Sequence, residues 1–390
     1  MELLELGIRL ERWLKQRVFG LLLGGRSGHA VAPASVDLSR CRRVLLVRVN
    51  FRMGNLLLIT PAIAALRQAL PDARIDVLCY DAYAALLAHD PDVDHTLGLH
   101  RRMLLNPWTL ARLVRTLRRA RYDLVIEGAR GGSFLGAILA AVSGGRHRAA
   151  AAGSRYQGLF NLRVPRRPDL EHKVDLLLAF LADLGIPPAT RALKVVLTDA
   201  ERAAAAARWH EWGLDSGGPA IGIIIGARGR KQWPPEQLLE LIRRLLLRSG
   251  LAVVLFGGPE EREEAIRLRR DLAGTVTVAP QLGVRDFATL LSRCAVVVTG
   301  DTGPMHLAAA VGTPTVAVFH TTNAACYAPR GALHRAVQAS ANGVVGRVLG
   351  AVDDLLAQGD GAGLGPGVVQ GRPQAGPTPA TVRRAPAPGS

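Results

Sequence analysis

The segment VVVTGDTGPMHLAAAVGTPTVAVF, Val296 to Phe319, places an apolar strand on each side of one short helix. The first strand ends at Thr299, residues 301–303 form a tight turn, and Pro304 opens the helix, where its missing N–H is not needed. Two strands connected through a helix in this way normally run parallel. The segment therefore predicts a parallel β-sheet that is covered by helices.

The same alternation of strand and helix extends through both halves of the 390-residue chain. In the first half, RRVLLVRV (Arg42–Val49) predicts a buried strand, NLLLITPAIAALRQAL (Asn55–Leu70) a helix and RIDVLC (Arg74–Cys79) the next strand. In the second half, AIGIII begins a strand at Ala220 and LAVVLFGG begins another at Leu251. A chain of this length fits two domains. We therefore predict two doubly wound α/β domains that face each other across a cleft, with ligands bound beyond the carboxyl ends of the strands.

Composition suggests where the domains end. Pro187 and Pro188 break the pattern in the middle of the chain, and a tail rich in Gly, Pro and Ala cannot bury enough side chain to become ordered. The predicted segments are an N-terminal amphipathic helix and linker over 1–37, a first α/β domain over 38–190, a second α/β domain over 191–340, a C-terminal helix over 341–358 and a disordered tail over 359–390.

The formal net charge of +17 is concentrated in one segment. From Arg101 to Arg167 there are fourteen arginines and two acidic residues, a net charge of +12. One interpretation is a solvated arginine-rich face. The other is a basic surface for an acidic partner such as a phosphorylated lipid or a membrane. Nucleic acid is not expected, because no aromatic interleaving accompanies the arginines.

The first 25 residues predict an amphipathic helix, which either lies on the inner face of a membrane or packs on the protein itself. Its apolar run, Val18 to Leu23, is too short to span a bilayer, and no cleavage pattern of a signal peptide follows it. The four cysteines form no CxxC pair, which argues against a zinc site or a disulfide framework. A reducing cytoplasm is the expected compartment.

Three loops of the second half carry groups that suit a phosphorylated ligand. The amides of Thr302 and Gly303, at the positive end of a helix, form a seat for a diphosphate, and Asp301 or Thr302 would cap that helix. His306 would face the same ligand from the first turn of the helix. The two other loops follow earlier strands, and they supply Arg228, Arg230 and Lys231 for phosphate oxygens and Glu260 and Glu261 for ribose hydroxyls.

Three motifs together resemble glycosyltransferase family 9, the bacterial ADP-heptose:lipopolysaccharide heptosyltransferases. They are DTGPMHLAAAVGTPTVAVF, RKQWPPE and VRVNFRMGNLLLITPAIAALRQALPDARIDVL, and the resemblance covers about Arg42 to Leu356. It implies a GT-B arrangement of two Rossmann-like domains, in which the domain over 38–190 lies on the acceptor side and the domain over 191–340 binds the nucleotide sugar. The implied reaction is an inverting transfer that uses no metal and no other cofactor. It also implies roles for six residues: Asp301, Thr302, Gly303, His306 and Lys231 would hold the ADP-sugar, and Glu261 would hold the ribose.

The chain departs from the family at the position of the catalytic base. Family members read Gly-Asp where this chain has Gly54 and Asn55, and asparagine cannot take a proton from the acceptor hydroxyl. Asn55 would then orient that hydroxyl, or only cap a helix that starts at Leu56. The base would be Glu127, which matches an acidic position of the family, another carboxylate, or the departing phosphate.

The expected function is transfer of a heptose-like sugar from an ADP-sugar to a lipopolysaccharide core or a related lipid-linked glycan. The partners would be the ADP-sugar and an acidic glycolipid, with peripheral contact at the inner face of the inner membrane and no nucleic acid. Two alternatives stay open, a nucleotide-sugar-binding protein that has lost turnover and another GT-B enzyme such as a sugar-nucleotide epimerase. A second departure, HTTNAACYAP (His320–Pro329) in place of Gly-Pro-Thr-Asp, leaves the donor sugar undetermined.

Overall fold

The computed structural model describes residues 31–33, 36–127, 133–215, 218–227, 231–248, 250–339 and 343–361. The predicted N-terminal helix, most of the predicted tail, and the loop residues Arg228 and Arg230 lie outside these ranges. Within them, no helix is long and apolar enough to cross a membrane.

The first half of the chain forms a sheet of six parallel strands. They are β1 (Arg43–Arg48), β2 (Arg74–Tyr80), β3 (His95–Leu99), β4 (Leu124–Glu127), β5 (His147–Ala151) and β6 (Leu162–Val164). Their spatial order is β3–β2–β1–β4–β5–β6. Central β1 is apolar along most of its length because helices cover both faces of the sheet. Its Val47 pairs with Leu78 on one side and with Glu127 on the other.

The second half forms another sheet of six parallel strands. They are β7 (Ala220–Ile224), β8 (Ala252–Phe256), β9 (Thr277–Val278), β10 (Val296–Gly300), β11 (Thr315–Phe319) and β12 (His334–Gln338). The order β12–β11–β10–β7–β8–β9 is that of the first sheet read from the opposite edge. Each sheet thus has the doubly wound strand order of a dinucleotide-binding fold.

Helices cover both sheets. They are α1 (Met53–Leu57), α2 (Thr60–Ala69), α3 (Asp81–Ala84), α4 (Pro107–Ala120), α5 (Phe134–Val142), α6 (Lys173–Ala182), α7 (Asp199–Glu211), α8 (Pro235–Leu246), α9 (Arg262–Asp271), α10 (Val284–Leu291), α11 (Gly303–Ala310), α12 (Ala324–Tyr327) and α13 (Val344–Gly361). The segment Val296–Phe319 is β10–α11–β11, and its two strands pair in parallel as predicted.

Two helix predictions need correction. The single helix predicted over Asn55–Leu70 is two helices, α1 and α2. Pro61 stands in the first turn of α2, because inside one continuous helix it would remove a backbone hydrogen bond and clash with the preceding turn. At the other end, α13 runs to Gly361, so residues 359–361 are helical although they were predicted to belong to the disordered tail.

Candidate active site

The strand order creates one crevice at the carboxyl end of each sheet, where successive connections leave toward opposite sides. In the first sheet this switch point lies between β1 and β4, and in the second between β7 and β10. Asn55 follows β1 and Glu127 ends β4, whereas Lys231 follows β7 and Asp301 follows β10. Four residues predicted from the sequence therefore belong to the two switch points.

Asp301 holds the ammonium group of Lys231. Its Oδ2 accepts hydrogen bonds from Lys231 Nζ and from Thr322 Oγ1, both at 2.5 Å. The carboxylate is buried, whereas Lys231 is partly exposed. The prediction that Asp301 or Thr302 caps α11 with its side chain is wrong: Thr302 occupies the N-cap position but its side chain makes no capping bond. Asp301 instead fixes a cation beside the start of α11.

The start of α11 adds a second source of positive potential. Thr302 and Gly303 are partly exposed there, and the helix dipole places partial positive charge at this end. Backbone amides at such a helix end bind phosphate oxygens. Together with Lys231, this end of α11 suits the diphosphate of a nucleotide sugar.

His306 lies in the first turn of α11, and its ring contacts Gly54 of the first domain. It is 4% exposed, and its Nδ1 has no hydrogen-bond partner among the described residues. Burial lowers the pKa of His306 to about 4, so the ring is neutral at physiological pH. A role for His306 in holding the donor stays a prediction.

Glu261 is held by the backbone after β8, and its carboxylate lies close to Gly226 in the loop after β7. Its Oε2 accepts the amide hydrogen of Gly258 at 2.8 Å. A Cβ on Gly226 would stand 3.0 Å from the Glu261 carboxyl carbon, so the absence of a side chain at Gly226 lets the carboxylate lie close to the backbone there. That Glu261 binds ribose stays a prediction.

Glu127 is a buried carboxylate at the first switch point. It is 5% exposed, and its Oε1 accepts the amide hydrogen of Ser133 at 3.0 Å. Its Oε2 is buried without a hydrogen-bond partner among the described residues. Burial raises the pKa of Glu127 to about 7, against the opposing effects of the Ser133 amide and the charge of Arg48.

Arg48, at the end of β1, connects Glu127 to Asn55. Its Nε donates to the Asn55 carbonyl oxygen at 3.0 Å, and its charge acts on the carboxylate of Glu127. Sequence reasoning missed Arg48, although a charged residue inside the apolar run LLVRV was a signal for it. A charged residue in a strand that is buried on both faces needs a hydrogen-bond or ion-pair partner, because an unpaired buried charge is costly.

Asn55 does not cap a helix that starts at Leu56. It is the third residue of α1, whose N-cap is Arg52. The backbone N–H of Asn55 donates to the Arg52 carbonyl oxygen. Its side chain is half-buried. The prediction that Asn55 caps a helix is therefore wrong. Its side-chain amide is not used for capping, and orientation of the acceptor hydroxyl stays a prediction.

The two switch points meet where α1 contacts α11. A Cβ on Gly54 would stand 2.5 Å from His306 Cδ2, and one on Gly303 would stand 3.2 Å from Met53 Cβ. The chain around Asn55 thus lies against the start of the helix that follows Asp301. Among the described residues, no group of three His, Cys, Asp or Glu side chains could hold a metal ion.

Comparison with known proteins assigns this architecture. Residues 110–344 match the family model of glycosyltransferase family 9 (heptosyltransferase). The chain is similar to lipopolysaccharide heptosyltransferase 1 of Escherichia coli strain K12, with 27% identity over 293 residues that cover 72% of this chain and 88% of that protein. It is also similar to lipopolysaccharide heptosyltransferase 2 of Salmonella typhimurium, with 26% identity over 287 residues that cover 68% and 80%.

Solved structures agree with the predicted fold. The glycosyl transferase family 9 protein from Veillonella parvula superposes with a TM-score of 0.73 at 20% identity, over 83% of this chain and 99% of that one. The E. coli heptosyltransferase WaaC with ADP superposes with a TM-score of 0.65 at 25% identity, over 80% and 99%. Two Rossmann-like domains in the GT-B arrangement, as predicted, are confirmed.

Proposed function

Since the chain belongs to glycosyltransferase family 9 and is therefore a glycosyltransferase, we propose that it moves a heptose-like sugar from an ADP-sugar to a lipopolysaccharide core or a related lipid-linked glycan. The observation that carries the proposal is the contact of the two switch points, α1 against the start of α11. The E. coli and Salmonella relatives are lipopolysaccharide heptosyltransferases, and the structure of the E. coli heptosyltransferase WaaC holds ADP. We place the reaction in the cytoplasm, at the inner face of the inner membrane.

The donor would lie on the second domain. Lys231 and the amides at the start of α11 would contact its diphosphate, and Glu261 would accept hydrogen bonds from the ribose. As the bond between the anomeric carbon and the phosphate oxygen breaks, negative charge grows on the departing ADP. A fixed cation and a helix N-terminus stabilise that charge without reorganising, which is the largest contribution a site of this kind makes.

The acceptor hydroxyl would enter from the first domain. The Asn55 side chain would hold its oxygen, and Glu127 would take its proton while the oxygen forms a bond to the anomeric carbon from the face opposite the phosphate, with inversion. A carboxylate whose pKa lies near 7 suits this role, because it is partly ionised at working pH and still basic enough to accept the proton. Glu127 is thus our candidate for the base that Asn55 cannot be.

A second candidate function follows from Asn55 itself. If no group takes the proton of the acceptor hydroxyl in place of the missing aspartate, the chain binds the nucleotide sugar without turnover. This function requires the same donor contacts, so donor binding alone does not separate the two candidates.

The test has two stages. ADP-, GDP- and UDP-sugars are first compared for the rise in melting temperature that each causes, because a ligand that binds the folded state stabilises it. The best donor is then incubated with a lipid-linked acceptor, and the products are identified by mass spectrometry. An acceptor one sugar heavier supports transfer, release of free sugar alone indicates hydrolysis, and stabilisation without any product indicates the binding protein.

A further inference from the structure

One exposed face of the first domain combines arginines with large apolar side chains. Leu105 is 86% exposed and Trp108 is 82% exposed. Along α4, residues 108, 112, 115 and 119 lie on one side of the helix, opposite the buried Leu113 and Leu117. This face, hereafter the Trp108 face, comprises Leu105, Trp108, Arg112, Arg115 and Arg119.

The charge of the Trp108 face is not balanced nearby. From His95 to Tyr122 the sequence contains seven arginines and no acidic residue. Among the described residues, none of these arginines forms a salt bridge with a carboxylate. A merely solvated arginine-rich face would not need to expose a tryptophan and a leucine as well. The face therefore suits a partner that offers both negative charge and an apolar layer.

We propose that the Trp108 face docks on an anionic lipid bilayer. Tryptophan favours the boundary between headgroups and acyl chains, and arginines on the same side of a helix attract anionic headgroups. A nucleic acid would use the charge but would leave Leu105 exposed, and a protein partner would have to supply a strongly acidic surface. A bilayer satisfies the charge and the apolar side chains at the same time.

The Trp108 face adjoins the acceptor side of the candidate site. A 3-10 turn over Arg101–Leu105 connects the end of β3 to α4, and the Arg101 guanidinium lies 4.4 Å from the centre of the Phe51 ring. Phe51 belongs to the loop that leads from β1 into α1 and Asn55. Docking would bring this end of the sheet to the membrane, where a lipid-linked acceptor resides. Only this last step depends on the proposed function.

The test measures binding of the full-length protein to vesicles by sedimentation, with no donor or acceptor present, so its outcome is independent of transfer. Phosphatidylcholine vesicles are compared with vesicles that contain phosphatidylglycerol, over a series of salt concentrations. We expect binding that requires the anionic lipid and falls as salt rises. Leu105→Ser with Trp108→Ser should weaken it about tenfold, and Arg112→Glu with Arg115→Glu about 30-fold or more.

Matched controls lie on the second domain. Leu247 is exposed to 85%, and Arg243 and Arg269 are exposed on α8 and α9. Leu247→Ser, and Arg243→Glu with Arg269→Glu, should leave vesicle binding unchanged. Melting temperatures of all variants show whether each is folded. In addition, anionic vesicles should shift the tryptophan emission of wild type to shorter wavelength, and Trp108→Phe should reduce that shift.

Three results would overturn the proposal. They are binding that does not require anionic lipid, equal losses in the Trp108-face variants and the controls, and wild-type protein that fails to sediment with anionic vesicles. Preference for a DNA oligonucleotide over vesicles of equal charge would assign the face to nucleic acid instead.

Discussion

Gly54 lies directly against the ring of His306, so closely that a Cβ on Gly54 would stand 2.5 Å from His306 Cδ2. Gly54 precedes Asn55 in α1 of the first domain, and His306 lies in the first turn of α11 in the second. The glycine is therefore what allows α1 of the first domain and α11 of the second domain to approach each other. Four predictions follow from this contact and from the groups around it.

Gly54→Ala should separate α1 from α11. The added methyl group meets a buried ring, so we expect a loss of about 1–3 kcal/mol in unfolding free energy and a lower transfer rate. Gly350 is the matched control, because a Cβ there meets nothing within 4 Å and the residue is exposed on α13. Gly350→Ala should stabilise the protein by up to about 1 kcal/mol. Urea denaturation measures both, and equal effects of the two substitutions would contradict the contact.

Lys231→Ala should weaken ADP binding by about tenfold or more, because a charged hydrogen bond to phosphate is lost. The change also leaves the buried carboxylate of Asp301 without its cationic partner, so the free energy of unfolding should fall. Adding Asp301→Ala removes the unpaired buried carboxylate. This double variant should regain stability but should not regain affinity for ADP. Titration calorimetry with ADP and thermal unfolding measure the two effects separately.

Lys194 provides the control for Lys231. Its ammonium group is similarly exposed and pairs with Asp90 at 2.6 Å, away from both switch points. Lys194→Ala should lower stability and leave ADP affinity unchanged. If both lysine variants bind ADP as wild type does, the second domain is not the donor domain.

Glu127→Gln should lower transfer by about 10²- to 10⁴-fold and remove the acidic limb of the rate profile, if Glu127 is the base. The wild-type rate should rise with pH through about 7, where Glu127 loses its proton. Asn55→Asp should leave the rate similar or lower. Initial rates against pH with the identified donor provide the measurement.

Two other results would change the assignment of the base. A nearly inactive wild type whose transfer is restored about 10²-fold or more by Asn55→Asp would show that Asn55 marks a lost base. A fast wild type that is indifferent to both changes would show that neither residue handles the proton.

Glu127→Gln should also stabilise the protein at high pH. The ordinary pKa of 4.5 rises to about 7 in the folded chain, mainly through burial. Between these values the folded state keeps a proton that the unfolded state has released, so stability falls as pH rises, by about 3 kcal/mol in all. The variant should therefore be more stable than wild type at pH 8 and nearly equal to it at pH 4, as measured by urea denaturation.

Glu201 gives a control of opposite sign. The hydrogen bond from Arg285 is the main cause that lowers the pKa of Glu201 to about 2. This carboxylate contributes stability above pH 4.5 that is lost as pH falls toward 2. Glu201→Gln should therefore be less stable than wild type at pH 8, and its deficit should shrink in acid. Parallel pH profiles of the two variants would contradict the burial of Glu127.

The sequence allowed the fold class to be predicted, and it identified candidate site residues by their positions after strands. Runs such as VVVTG and TVAVF, separated by a turn and a Pro-started helix, specify a parallel β–α–β unit by local pattern alone. Residues that follow such strands come to one edge of a sheet whatever its strand order, so Lys231, Asp301 and Asn55 could be recognised as site candidates. The spacing of apolar residues and the residue types in turns are properties of short segments, so they can be recognised without the tertiary structure.

Only the tertiary structure decided which of these residues contact one another. The strand order places β1 beside β4, which brings Arg48 between Asn55 and Glu127, and no local pattern encodes that neighbourhood. The same holds for Gly54 and His306, which are 252 positions apart in the sequence. The pKa of Glu127 likewise depends on burial by distant segments, since desolvation is a property of the packed chain and not of the residue.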